Sequence, residues 1–354
     1  MEYQEIVHLI KNDRQNIAEE ALKLQLEIMP EMAKRYSMYQ MGKAIQDMKY
    51  HIQFLEAAMI ADSPPLFTNY LLWLKELLEN LGVPLRDLKM SVVCLGDCLK
   101  ARYPDIYDKA MDRIIKEGLE HLMMEARPSE TFLTEELPYS VLAMKYLEFL
   151  LKGERFQASE LIQNEMKQGA PIKEIYLQVF QNTQYEIGRL WQTGKISVAQ
   201  EHYCTAASQF VMAQLYPYIF RTANRGMTVV ACCVGNELHE IGIRMIADFM
   251  ELSGFNTYYL GANTPAESII STLVEHKPCV LAVSATMAFH VAEVAELIQK
   301  VRKVKECDDV LIMAGGYPFN VDKDLWKTVG ADCHARNAEE AVEVLLALTN
   351  EVRN

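Results

Sequence analysis

The chain has 354 residues, more than one typical domain holds; half are apolar and 23% are charged, the balance of a soluble globular protein. A formal net charge of −13, with no cluster of Lys or Arg, argues against a nucleic-acid backbone as main partner. No apolar run approaches ~20 residues, so no membrane span is expected. Eight cysteines with no Cys-x-x-Cys pattern point to a reduced, cytosolic protein. Cys94 and Cys98 share a helical face and read as packing, and Cys232-Cys233 lies inside a strand. The first ten residues are acidic and lack the apolar core of a signal peptide.

Residues 1–126 show helical periodicity and almost no strand signal. Helices are expected over 17–26, 48–55, 66–74 and 85–100, with Pro64-Pro65 in the first turn of the third and Gly82-Val83-Pro84 breaking the pattern after it. This predicts an all-helical, globin-sized domain of six helices. A polar stretch from Arg127 to Pro138 reads as a linker. A second helical block follows, over 146–151, 156–167, 172–191 and 197–216, and suggests a small four-helix bundle within 138–222. Residues 221–226 read as a second linker.

From Met227 the pattern alternates strand and helix. Strands are expected at 228–234, 256–260, 279–284, 309–314 and 331–333, with a last helix over 338–348. This predicts a flavodoxin-like, doubly wound, parallel five-stranded sheet over 226–354, so the fold class is α/β plus all-α.

His239 falls on the loop after the first of these strands, where open α/β sheets bind ligands. Alone it reads as a solvent-facing histidine. Two later loops change its weight. Ser284-Ala285-Thr286 ends the third strand, with 41 residues between Gly242 and Ser284, and Gly315-Gly316 ends the fourth, with 28 residues between Thr286 and Gly315. All three belong to strand ends expected on one edge of the sheet. Adjacent glycines let a ligand lie against backbone.

The pattern Glu237-x-His239-x-x-Gly242, then Ser284-x-Thr286, then Gly315-Gly316 resembles the fingerprint of cobalamin-binding domains of the methionine-synthase type. Thr286 is a departure, standing where that family has Leu. The resemblance implies that His239 ligates cobalt from below in place of the dimethylbenzimidazole base. It implies that Glu237 is the carboxylate behind the histidine, and that the nucleotide tail lies beside the Ser284 and Gly315-Gly316 loops. Asn236, Leu238, Glu240, Ile241, Gly261 and Tyr317 are the neighbouring residues expected to touch the cofactor.

Upstream, Trp191 is separated by nine residues from Glu201-His202. In isolation these read as a packing tryptophan and a solvated helix face. Placed before a cobalamin domain, the spacing resembles the cap of adenosylcobalamin-dependent photoreceptors. That resemblance implies that Trp191 covers the adenosyl group and that Val198, Glu201 and His202 line the same pocket. It implies too that photolysis of the Co–C bond changes the cap and the oligomeric state. In residues 1–126, Tyr36, Asp47, Tyr50, His51, Phe54, Phe67, Tyr70 and Trp73 loosely resemble the globin-like module of photocobilins, where a bilin binds. Asp47 and His51, one turn apart, are then the candidates for a second chromophore, biliverdin. The competing reading of this block is a structural or dimerising bundle with aromatic core residues.

The function expected is therefore a cytoplasmic, cobalamin-dependent light sensor, a homo-oligomer that signals through a partner in trans. The alternative is a corrinoid methyl carrier for a methyltransferase system, which shares the lower motif and the helical cap. A cobalamin-dependent mutase is disfavoured because no substrate barrel is present.

Overall fold

The computed structural model describes residues 3–104, 107, 109–124, 129–220 and 225–351. Residues 127–128 and 221–224 of the two expected linkers lie outside them. The described part of the first linker, up to the turn at Pro138, carries no helix or strand. Packing divides the chain into two units: 1–126 with 285–303 and 314–332, and 127–284 with 304–313 and 333–354. This is not the division expected along the sequence, because two segments of the α/β region group with the N-terminal helices.

In the first unit the expected six helices are α1 (Tyr3–Ile28), α2 (Pro30–Arg35), α3 (Met38–Ile60), α4 (Pro64–Asn80), α5 (Leu85–Arg102) and α6 (Lys109–Leu122). Local chemistry sets several ends. Ser37 and Gln40 form a capping box that starts α3. Pro64 occupies the first turn of α4, where a missing N–H costs nothing. Ile17, Ile52, Leu55, Phe67, Leu71, Val92, Leu95 and Ile114 are essentially solvent-free and form the core. Gly118 lets α6 approach α4, since a Cβ there would come within 2.9 Å of the Leu71 side chain. The buried Asp87 accepts two bonds from Arg35 and one from Tyr36, which ties α2 to α5.

In the second unit the bundle consists of α7 (Ser140–Leu151), α8 (Arg155–Lys167), α9 (Ile172–Glu174), α10 (Asn182–Gln192) and α11 (Val198–Ala213). A π-helical stretch, Ile175–Gln181, joins α9 to α10, so the single helix expected over 172–191 is interrupted in its hydrogen-bond register. A short α12 (Tyr216–Ile219) follows, and α11 ends before it rather than at residue 216. The strands are β1 (Thr228–Cys233), β2 (Asn256–Gly261), β3 (Val280–Ser284), β4 (Leu311–Gly315) and β5 (Cys333–His334). They form one sheet in the order β2-β1-β3-β4-β5, with β1 parallel to both its neighbours. The expected flavodoxin-like order is the observed one. The connecting helices are α13 (Ile241–Leu252), α14 (Ala266–His276), α15 (Val291–Val301), α16 (Tyr317–Val321), α17 (Leu325–Thr328) and α18 (Ala338–Glu351). Bundle and sheet share one core in this unit: Tyr146, Tyr176, Phe180 and Val211 pack with Val229, Ala231 and Phe249.

Candidate functional site

The loop from Val234 to Glu240 leaves β1 at its carboxyl end and feeds directly into α13. Asn236 takes a left-handed conformation, φ 65°, which asparagine tolerates better than most side chains. Its N–H donates to Asn263 Oδ1 at 2.7 Å, and Asn263 N–H donates to the Glu237 carbonyl at 2.9 Å. The β1 and β2 loops are thereby locked together.

Glu237 is fully buried, yet its carboxylate is engaged. Oε1 accepts the His239 backbone N–H at 2.9 Å and pairs with His239 Nδ1 at 2.6 Å. A carboxylate at that distance keeps the proton on Nδ1 and leaves Nε2 with the lone pair. The His239 side chain is 58% exposed, so its ring reaches out of the loop. The Glu237 bond raises its pKa above the ordinary histidine value against the opposing effect of burial, and the negative charge of Glu201 adds to the rise. A basic imidazole with one nitrogen anchored is what a metal ligand requires.

The other motif residues are placed as follows. Leu238 is 71% exposed and Val198 50%, apolar surface that a flat ligand would cover. Gly242 faces open space, with nothing near the position a Cβ would take. Ser284 is the buried last residue of β3 and pairs in register with Cys233 of β1; its carbonyl accepts the Val234 N–H at 3.4 Å. Gly261 and Glu240 are in contact, and Ile241 is the first residue of α13.

In the other unit, Thr286 is half-buried and Gly315 closes β4. Gly316 has φ 107°, and a Cβ there would stand 2.0 Å from the Ala285 carbonyl oxygen. Glycine is thus demanded by the neighbouring backbone, a reason that the ligand argument alone did not supply. Tyr317 is 54% exposed and donates its hydroxyl proton to Asn69 at 3.0 Å, so that hydroxyl is committed to α4.

In the cap, Trp191 is half-buried at the end of α10, and Glu201 and His202 lie in the first turn of α11. Glu201 Oε2 pairs with His202 Nδ1 at 2.5 Å, and its Oε1 accepts the Thr205 hydroxyl at 2.9 Å. The chain continues inward through Gln184 to Ser208 and the buried Tyr146. Sequence reasoning missed Gln184, Thr205 and Gln209 because isolated polar residues on a helix carry no motif.

Asp47 and His51 do lie one turn apart on α3, but their roles differ. His51 is 2% exposed, and both ring nitrogens are used: Nδ1 with Tyr70 OH at 2.8 Å and Nε2 with Ser91 Oγ at 3.0 Å. Ser91 gives its own proton to the Leu88 carbonyl, so Nε2 donates and Nδ1 accepts from Tyr70. Burial lowers the His51 pKa to about 4 and keeps it neutral. Asp47 is half-buried, and burial pushes its carboxyl up to about 6. The arrangement of His51 is that of a satisfied core histidine. Phe54, stacked on Tyr70 at 3.7 Å and edge-on to Phe289 at 5.2 Å, continues the aromatic cluster.

Residues 227–346 match the model of the B12 binding domain, and residues 142–216 match a second model of the same description. The chain carries a B12-binding domain. Residues 2–125 match the model described as phycobilisome protein. The chain is similar to the trimethylamine corrinoid protein of Methanosarcina barkeri, 28% identical over 123 residues, which is 35% of this chain and 56% of that protein's length. It is similar also to trimethylamine corrinoid protein 2 of Methanosarcina mazei, 24% identical over 64% of this chain and 94% of the relative. The solved monomethylamine corrinoid protein of Methanosarcina barkeri shares the fold, with a TM-score of 0.54 and 22% identity over 60% of this chain and all of that one. The residues around His239 fit a corrinoid: one clamped imidazole with a nitrogen for cobalt, the exposed Leu238 next to it in the chain, and open space at Gly242.

Proposed function

We propose that this protein holds cobalamin through His239 Nε2 and carries a methyl group for a methyltransferase partner in trans. The observation that carries this reading is the Glu237–His239 pair, a buried carboxylate anchoring an exposed imidazole by Nδ1. When bound, the cobalt of cobalamin supplies a centre that takes up and releases a methyl group. The chain's own residues do the rest. Glu237 holds the His239 proton on Nδ1 and so fixes the tautomer and its basicity. Ser284, Thr286, Gly315 and Gly316 would border the nucleotide tail. Trp191, Val198, Glu201 and His202 would border the upper face. The division of labour we assign is an interaction module over 1–126, a cap over 138–222 and the corrinoid fold over 226–354. The protein reconstituted with methylcobalamin should lose its methyl group to a thiol acceptor only when a corrinoid-dependent methyltransferase is added. Cobalamin retained but never demethylated by such enzymes would sink the carrier reading.

A second reading, a cobalamin-dependent light sensor, is favoured by one specific observation. The phycobilisome match covers 2–125, whereas nearly the whole length of the corrinoid carrier from Methanosarcina mazei is spanned by 64% of this chain. In this reading adenosylcobalamin is the bound form, Trp191 covers its adenosyl group, and the N-terminal helices bind biliverdin near Asp47. Light would then change a homo-oligomer. Green light should alter the visible spectrum and the gel-filtration volume of the adenosylcobalamin-loaded protein. Biliverdin added during expression should give a far-red band that depends on residues 1–126. A spectrum indifferent to light rejects this reading and leaves the carrier.

A further inference from the structure

We propose that Glu240 is a positioning residue that ties the loop bearing the cobalt ligand to cap helix α11, so that the two shift together. The proposal rests on the reading of His239 as that ligand. Glu240 follows His239 directly and stands at the N-cap of α13, yet its side chain caps nothing there. It points instead to three donors from other elements. Oε1 accepts Gln209 Nε2 of α11 at 2.9 Å. Oε2 accepts the Tyr259 hydroxyl at 2.8 Å and the Ala262 N–H at 3.1 Å. Gly261 makes room for this carboxylate: its φ is 80°, and a Cβ there would stand 3.0 Å from Oε2.

The position of Gln209 gives the arrangement its consequence. Glu201, Thr205 and Gln209 follow one another at intervals of four on α11, so they share one helical ridge. Thr205 is bonded to Glu201, and Gln209 to Glu240. One rigid ridge therefore runs from the residues that would face the upper side of the corrin to the residue beside the lower ligand. Two of the three donors come from the β2 side. That side acts as the fixed end, and Gln209 is the arm that reaches the cap.

The test uses the full-length protein with and without cob(II)alamin. In the cofactor-free protein, Gln209→Leu and Glu240→Ala should both lower hydrogen-exchange protection along 198–213. In the loaded protein prepared with 15N-labelled histidine, 15N splitting in the electron paramagnetic resonance spectrum reports His239 on cobalt, as distinct from the 14N splitting of the dimethylbenzimidazole base. Its His-off fraction should rise about tenfold in both variants, the effect of losing the one hydrogen bond that joins Gln209 to Glu240. Glu240→Gln, which keeps the length and an acceptor oxygen, should restore part of the signal. If Glu240→Ala fails to fold, Gln209→Leu on a half-buried helix face still decides the matter. Loss of α11 protection with an unchanged His-on fraction would show packing alone and overturn the coupling. A wild-type protein without histidine-15N splitting would instead reject His239 as the ligand, an outcome separate from failure of the latch.

Discussion

At the scale of single residues, two histidines with opposite electrostatics show how surroundings decide role. His239 is exposed, anchored by a buried carboxylate, and held above its ordinary pKa. A raised folded value means that its contribution to stability is present on the acid side of ~6.5 and fades as pH rises through the folded value. Glu237→Gln should abolish that contribution in the cofactor-free protein and weaken cobalamin retention by about 10–100-fold. A pH series of thermal melts and a cobalamin titration would check the two halves. His239→Ala should weaken cobalamin retention or leave a base-on spectrum, with no splitting from histidine nitrogen. His51 has the reverse sign. Its folded pKa is lowered to about 4, so its stabilising effect is present above ~6.5 and is lost as pH falls toward 4. His51→Leu strips Tyr70 of its acceptor and should destabilise by about 1–3 kcal/mol at pH 7. Its acid unfolding midpoint should also shift to lower pH; chemical denaturation at pH 7 and pH 5 would measure both.

At the scale of elements, the glycines at two helix starts separate folding from binding. Gly316 opens α16 with its backbone pressed on Ala285. Gly316→Ala would force a Cβ onto a carbonyl oxygen and should cost more than about 2–3 kcal/mol, visible as a drop in Tm. Gly242, in the first turn of α13, has open space where a Cβ would go. Gly242→Ala should leave Tm unchanged or slightly raised, while weakening cobalamin retention. Equal effects of both substitutions on stability would argue against a ligand beside Gly242. The π-helical stretch belongs to this scale as well. It brings Tyr176 to donate to Asp248 on α13 at 2.8 Å, a link between bundle and sheet in one unit. Burial pushes Asp248 up to about 6, so the carboxyl holds its proton more firmly than it does in the unfolded chain. This group therefore opposes folding increasingly as pH rises from ~4 to about 6.

At the scale of the molecule, a ligand that binds only the folded state stabilises it by mass action. Cobalamin at about 100 times its Kd should add ~2.7 kcal/mol. The Tm of the protein should rise with cobalamin concentration, while His239→Ala should remove most of that rise.

Much of this architecture was legible in the chain itself. Apolar runs bounded by turns marked the strands, and the helical period marked the bundle and N-terminal helices, because alternation and 3.6-residue spacing record which face is buried. The spacing of Glu237, His239 and Gly242 to Ser284 and Gly315 pointed to the cofactor only through its resemblance to cobalamin-binding domains; by itself it marked loops at strand ends, which recur at the period of a β-α unit. Other facts depend on pairs far apart in the chain. His51 meets Tyr70 and Ser91, and Glu240 meets Gln209, Tyr259 and Ala262. The grouping of 285–303 and 314–332 with the N-terminal helices is of the same kind. Periodicity tells which side of an element is buried but not against what. That choice is made by packing, which also turned a candidate chromophore histidine into a core residue and an unremarked glutamate into a link to the cap.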